Sequence, residues 1–334
     1  MLAPVLAFAA AAFITPVAII ALMPLLRRYA LARPNARSSH AVPTPQGGGI
    51  AVIAGALLGL AVAAGAVPTE GLLALTAATV LLALVGLIDD LRPLSPWPRL
   101  AFQSVAVIIA VTAGASAGRI LPDAVPLGFE RLLLVIAGLW FVNLVNFMDG
   151  LDWLTVVGLA PTAVAIALFG AAGRVPTEAM LVAAALAGAL IGFAPFNRPV
   201  AKLFLGDVGS LPIGLLAGWA LYELAAQGGI AAAILLPLYY LADATLTLLR
   251  RLVLRERIFE AHRSHFYQRA TANGFSVPEV VGHVFVCNLV LVALAAITVF
   301  APGAWSDFLC LAAGIALVGA LLRRFSLPRQ MAAA

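Results

Sequence analysis

Two carboxylates in succession, Asp89-Asp90, close an apolar run at Gly86-Leu87-Ile88. Neighbouring acids at a helix C-terminus face the negative end of the helix dipole and each other, so both favour a cation or a proton. A solvated helix end is the plain alternative, although basic residues are the usual choice there. Consecutive helical residues point ~100° apart. One of the pair is therefore expected to act and the other to orient or tune it.

A second group reads Asn143-Leu144-Val145-Asn146-Phe147-Met148-Asp149-Gly150-Leu151-Asp152. Asn143 and Asn146 share a face one turn apart on an otherwise apolar stretch, and amides buried in lipid are costly unless bonded. Helix-to-helix bonding would explain one of them. Gly150 offers a helix exit, which places Asp152 on the following loop. Four such groups at one membrane edge favour a ligand or metal site.

Further on, Phe204-Leu205-Gly206-Asp207-Val208-Gly209-Ser210 opens another apolar run. Gly206 and the free N–H groups of a helix start suit an anion. Asp207 alone is explained by an N-cap role, but a capping carboxylate can still ligate Mg²⁺, which needs few protein oxygens. The late segment His262-Arg263-Ser264-His265-Phe266-Tyr267-Gln268-Arg269 is either a solvated basic loop or a ligand pair on spacing alone. Gly47-Gly48-Gly49, after Pro43-Thr44-Pro45-Gln46, could admit a phosphate or simply turn the chain.

These residues need elements to hold them, and the composition says which. The 334 residues are 63% hydrophobic and 10% charged, with mean hydropathy +1.06. Soluble domains are about a quarter charged. Apolar runs long enough to cross a bilayer recur, over 3–26, 47–67, 71–88, 100–118, 130–147, 153–172, 178–194, 208–226, 229–249, 279–301 and 304–322. The expected fold is a single all-α polytopic domain, 1–334, with about eleven transmembrane helices and a long loop over 250–278. Cys287 and Cys310 fall inside apolar runs, which excludes a disulfide framework. The first run lacks a basic leader and is too long for a signal core, so it reads as a retained helix.

Because the breaks are short, alternate ones lie on opposite sides. One side collects seventeen of the twenty basic residues, including Arg33, Arg37, Arg92, Arg99, Arg198, Lys202, Arg257 and Arg263; the other has Arg119, Arg131 and Arg174. The positive-inside rule puts the N-terminus outside and the C-terminus in the cytoplasm. All four polar motifs then fall on the cytoplasmic face. The net charge of +5 belongs to loops and orientation, not to nucleic acid.

In this order the motifs resemble the polyprenyl-phosphate N-acetylhexosamine-1-phosphate transferases, the MraY and WecA type. The resemblance covers most of the chain: Pro43-Thr44-Pro45 with its glycines, Asp89-Asp90, Asn143 to Asp152, Asn197 to Ser210, and 262–269. It implies ten or eleven helices around a cytoplasmic cleft in a bacterial inner membrane, and is compatible with a homodimer. The implied reaction joins undecaprenyl phosphate to the β-phosphorus of a UDP-N-acetyl sugar, with Mg²⁺ required and Mn²⁺ an alternative. Residue by residue, Asp207 matches the metal aspartate and Asn146 a second metal or diphosphate contact. Asp152 matches a uracil contact, Lys202 a position near the nucleotide, and Arg99 a basic residue that follows the acid pair. Asp89 or Asp90 matches the base that deprotonates the lipid phosphate.

One departure matters. Relatives often carry a His-rich triplet where this chain has Arg263-Ser264-His265. Arg263 can hold a diphosphate in a bidentate fork, and the change argues against the branch that takes a muramoyl-pentapeptide donor. It favours a branch that initiates O-antigen or another surface polysaccharide. A transporter is the rival class, since such proteins place ionisable groups near the midplane on repeated halves. Here no repeat is visible, and only Glu223 and Asp243 lie away from span ends. For Asp243 a buried structural hydrogen bond is expected.

Overall fold

The computed structural model describes residues 2–32, 43–65, 69–113, 119–256 and 262–329. The whole of 33–42 with Arg33 and Arg37, the 66–68 break, the end of the 100–118 run and Arg257 lie outside them. Thirteen helices are present among the described residues: α1 (Leu2–Tyr29), α2 (Gly48–Ala64), α3 (Glu70–Leu91), α4 (Pro96–Ala113), α5 (Leu127–Met148), α6 (Leu154–Ala171), α7 (Thr177–Asn197), α8 (Asp207–Ala226), α9 (Ile230–Leu235), α10 (Leu238–Val253), α11 (Phe266–Ala272), α12 (Val277–Phe300) and α13 (Ala304–Ser326). Eight of them are long and apolar enough to cross a membrane. The chain is an all-α polytopic membrane protein.

Every apolar run named above falls on a helix, with two differences of detail. The run at 229–249 is two helices, α9 and α10, broken at Leu236-Pro237. Proline has no N–H to continue the ladder, and its ring clashes with the preceding turn. The long loop after α10 contains the short helix α11.

Helix starts follow local chemistry. Thr69 caps α3 by accepting from the Leu72 N–H at 3.3 Å. Ser276 and Glu279 form a reciprocal capping box at the start of α12. α8 lies at the centre, buried along nearly its whole length, with α3 and α5 across it. α7 is sandwiched by α1, α2 and α6. A two-residue antiparallel ladder, β1 (Leu31–Ala32) with β2 (Thr44–Pro45), ties the end of α1 to the start of α2. Gly48 and Gly49 N–H groups then donate to Phe204 and Leu205 carbonyls, each at 2.8 Å. This stitches the glycine-rich segment to the approach to α8, at the end of the bundle where α3 and α5 terminate.

Candidate active site

The Asp pair at the end of α3 is used in two different ways. Asp90 turns onto the start of α8, where its Oδ1 accepts from the Asp207 N–H at 2.9 Å and its Oδ2 from the Val208 N–H at 3.1 Å. Gln46 Nε2 donates to the same Oδ1 at 2.6 Å. Asp90 therefore caps α8 from another helix, satisfying donors that would otherwise be orphaned. Two glycines make the approach possible. Gly206 has φ 77°, and a Cβ there would lie 2.5 Å from Asp90 Oδ2. At Gly86 a Cβ would strike the Asp207 carbonyl.

This arrangement changes the reading of Asp207. It is not the N-cap; Gly206 holds that position, and Asp207 is the first helical residue. With capping delegated to Asp90, the Asp207 carboxylate faces the site. Its Oδ1 accepts from Asn146 Nδ2 at 2.7 Å, and its Oδ2 lies 3.5 Å from Arg99 Nη1. Asn146 also donates to Ser210 Oγ at 2.9 Å. Asp89 accepts from the same Arg99 Nη1 at 2.9 Å and from the Leu94 N–H at 2.6 Å. Arg99 thus sits between two acids from different helices.

The remaining residues of the α5 motif divide between the site and its support. Asn143 donates to Gln103 Oε1 and to the Leu139 carbonyl, both at 2.8 Å, so its amide joins α5 to α4. Asp149 occupies the C-cap position of α5 and accepts from Thr155 Oγ1. Burial pushes its carboxyl up to about 8; the Thr155 bond opposes this, and the charges of Asp207, Asp90 and Asp152 add to it. Asp152 lies on the turn beyond Gly150, where its Oδ2 accepts from the Ala201 N–H at 2.9 Å. That bond braces the turn after α7. Asn197 closes the same turn, accepting from the Trp153 N–H at 2.8 Å and donating to the Leu203 carbonyl at 3.0 Å. Lys202 is exposed on this turn.

The 262–269 segment is anchored by Asp243, buried in α10. Its carboxylate accepts from the Phe266 N–H at 2.9 Å and the Tyr267 N–H at 3.1 Å, and His265 Nδ1 lies 3.3 Å away. The Tyr267 hydroxyl donates to the Phe147 carbonyl at 2.9 Å, which draws the segment against the end of α5. The structural hydrogen bond expected of Asp243 is present, with a specific task. His265 is buried and stacks on Tyr267, their ring centroids 5.6 Å apart. Arg263 is exposed. His262 bonds Ser264 Oγ at 2.9 Å; burial, then the charges of His265 and Arg251, push it down to about 4.

Gln46, Gln103 and Thr155 were not singled out from the sequence. Gln103 carried a signal, a lone amide within an apolar run. Gln46 and Thr155 carried none, because each acquires its role only through a distant partner.

The chemistry of the donor set can be tested against a metal. Asp89 and Asp207 share one guanidinium, that of Arg99, with Asp90 bonded to the backbone just behind them, so that the carboxylates outnumber the cation and a further positive charge would relieve them. Among the described residues, no three His, Cys, Asp or Glu side chains are grouped so as to hold a metal ion by themselves. A few hard oxygens in an open arrangement fit Mg²⁺, which keeps waters and substrate phosphates as its other ligands.

Fold and site together define a polytopic membrane protein with a carboxylate–amide site at one end of its bundle. The sequence profile of glycosyl transferase family 4 matches residues 72–225, the stretch from α3 through α8. The decaprenyl-phosphate N-acetylglucosaminephosphotransferase of Mycobacterium leprae is 30% identical over 344 residues, covering 89% of this chain and 85% of that protein. Its counterpart in Mycolicibacterium smegmatis is 34% identical over 221 residues, covering 58% of this chain and 53% of that protein. A Bacillus subtilis protein named "Probable undecaprenyl-phosphate N-acetylglucosaminyl 1-phosphate transferase" is 27% identical over 305 residues, covering 84% of this chain and 83% of its own. The chain belongs to this family of polyprenyl-phosphate sugar-1-phosphate transferases.

Proposed function

We propose that the chain transfers a sugar 1-phosphate from a UDP-N-acetylhexosamine to a polyprenyl phosphate, giving a polyprenyl-diphospho-sugar and UMP. A phosphate oxygen of the acceptor attacks the β-phosphorus of the donor, and the bond from that phosphorus to the α-phosphate oxygen breaks. UMP leaves with the bonding electrons, and the sugar stays on the transferred phosphorus. The observation that carries this reading is the meeting of Asp89, Asp207, Asn146 and Arg99 at one end of a membrane bundle.

Each side chain has a task in that step. Asp89 faces the site beside Arg99 and is the base for an acceptor phosphate that arrives protonated. Arg99 offers a guanidinium to the phosphates in place of its carboxylates, countering charge that builds in the transition state. Asp207 with Asn146 would hold a divalent cation, Mg²⁺ by the donor chemistry, which when bound supplies charge neutralisation to the diphosphate. Asp152, Asn197 and Lys202 are assigned to the nucleotide side, and Arg263 and His265 lie on the segment drawn against the end of α5, within which they are assigned to the diphosphate. The excess of basic residues at this end supports a cytoplasmic site, and the bacterial relatives support an inner-membrane setting, where a soluble nucleotide sugar is within reach. The lipid tail of the acceptor stays in the bilayer.

The relatives' names make N-acetylglucosamine the first donor to test. UMP release from a panel of UDP-N-acetyl sugars, with undecaprenyl phosphate and Mg²⁺, reads the reaction directly. Asp207→Ala is expected to reduce that release to background. Near-normal turnover in this variant would remove Asp207 from the metal site.

A further inference from the structure

A second feature, a mainly apolar groove, lies on the flank of the bundle, beside the turn after α7. A groove of ≈ 500 Å³ runs between α6, the end of α7 and the start of α12. Its walls are Trp153, Val156, Val157, Val281 and Phe285, and its only charged lining residue is Arg198. A neighbouring groove of ≈ 610 Å³ lies between α12 and α13 and includes Val286, Val290 and Leu317. The two share Pro278 and Gly282. A Cβ built at Gly282 would meet nothing within 4 Å, so no side chain divides the grooves there. Phe285 and Val286 are 41% and 60% exposed, an apolar surface suited to hydrocarbon.

We infer that this paired groove binds one bilayer phospholipid, its phosphate on Arg198 and its two acyl chains straddling α12 at Gly282. Three observations select that occupant. The walls are mainly apolar; Glu279 and His283 also line the second groove, but Glu279 is paired with Arg329 at 2.9 Å, which leaves Arg198 as the cationic group at the mouth of the first, the complement of an anionic amphiphile. Arg198 lies at the basic end of the bundle, the level at which headgroups sit. Val200, two residues on, is 83% exposed, an apolar side chain suited to the same interface.

The location gives such a lipid a consequence. Arg198 sits between Asn197, which binds the Trp153 N–H and the Leu203 carbonyl, and Ala201, which binds Asp152. Trp153 is both a groove wall and, through its indole N–H, a donor to the Ala194 carbonyl at 2.6 Å. A phosphate on Arg198 would brace the turn carrying Lys202. Resting on the proposed reaction, turnover is then expected to rise with anionic lipid through KM for the nucleotide sugar.

Binding and turnover are measured separately. Native mass spectrometry of the detergent-solubilised full chain, titrated with phosphatidylglycerol, reads the lipid whether or not any donor sugar is accepted. The wild type is expected to retain one phosphatidylglycerol, Arg198→Ala to bind it about fivefold more weakly, and Arg198→Lys to recover most of the loss. Gly282→Leu starts its side chain into open space at the Cβ, and is expected to lower retention while leaving the fold intact. Equal retention in wild type, R198A and G282L overturns the inference. So does stoichiometric displacement of phosphatidylglycerol by undecaprenyl phosphate, which would make the groove the acceptor's own. In nanodiscs, replacing phosphatidylglycerol with phosphatidylcholine should raise KM in the wild type and leave R198A unchanged.

Discussion

Two helix starts in this molecule are capped by carboxylates borrowed from elsewhere, and they do different work. At α8 the donor is Asp90, whose two oxygens take the Asp207 and Val208 N–H groups. At α11 it is Asp243, whose two oxygens take the Phe266 and Tyr267 N–H groups. α8 has twenty residues and is central, so its cap fixes a residue inside the carboxylate–amide cluster. α11 has seven residues and depends on its cap to exist, since so short a helix is marginal alone. The first cap leaves the Asp207 side chain turned to Asn146 and Arg99; the second holds a loop against the end of α5. A carboxylate that looks catalytic by position can thus be architectural, and the adjacent one can be the reactive group.

The largest expected effect separates the members of the acid pair. Asp89→Asn removes the proposed base and should lower kcat by about 10²–10⁴-fold, with little change in thermal stability. Asp90→Asn retains an acceptor oxygen for the α8 N–H groups and should keep a substantial share of turnover. Asp90→Ala leaves those buried donors unpaired, at a cost of about 1–3 kcal/mol for each. It should therefore show a lower Tm than either Asn variant. Equal, mild losses of rate in D89N and D90N would make both acids structural.

Next in size is the second cap. Asp243→Ala leaves the Phe266 and Tyr267 N–H groups unpaired and removes the His265 partner. The loop should loosen while the α3–α8 cluster stays intact. KM for the nucleotide sugar and hydrogen exchange over 262–272 should both rise, with D243N intermediate. Unchanged exchange in that segment would mean that other contacts, such as Tyr267 with Phe147, are sufficient to hold it.

Apolar runs and their breaks made the helices legible, because a bilayer demands long uninterrupted stretches and each turn needs Gly, Pro or polar residues. The convergence of Asp89, Asn146 and Asp207 was legible for the same reason: each is a costly group at a span end. That the two acids of the pair would differ was legible too; which of Asp89 and Asp90 takes which part was not. Adjacent residues differ only in direction, and direction has meaning only once α8 is placed against Gly86. Asp207 looked like its own cap because nothing local reveals a cap from 117 residues away in the chain. Asn143 and Asn146 read as equals, yet only packing shows one turned to Gln103 and the other to Asp207. Pro237 was visible inside the ninth run, where only the structure shows how completely it breaks the helix.

The smallest expected effect tests the loop electrostatically. His262 is pushed down to about 4, first by burial and then by the charges of His265 and Arg251. In the unfolded chain a histidine titrates near its ordinary value of about 6.5. As pH falls from about 6.5 toward 4, the unfolded state binds a proton that the folded state refuses, so folding loses stability over that window. Above it both states are neutral and the residue contributes no slope. His262 is half-buried, and solvent screening keeps the loss modest. His262→Gln should therefore flatten the fall in Tm between pH 6.5 and 5 and leave Tm at pH 8 nearly unchanged. Identical Tm profiles for wild type and variant would show that the His262 ring accepts its proton in the folded loop as readily as in water, and that the segment yields to the charge.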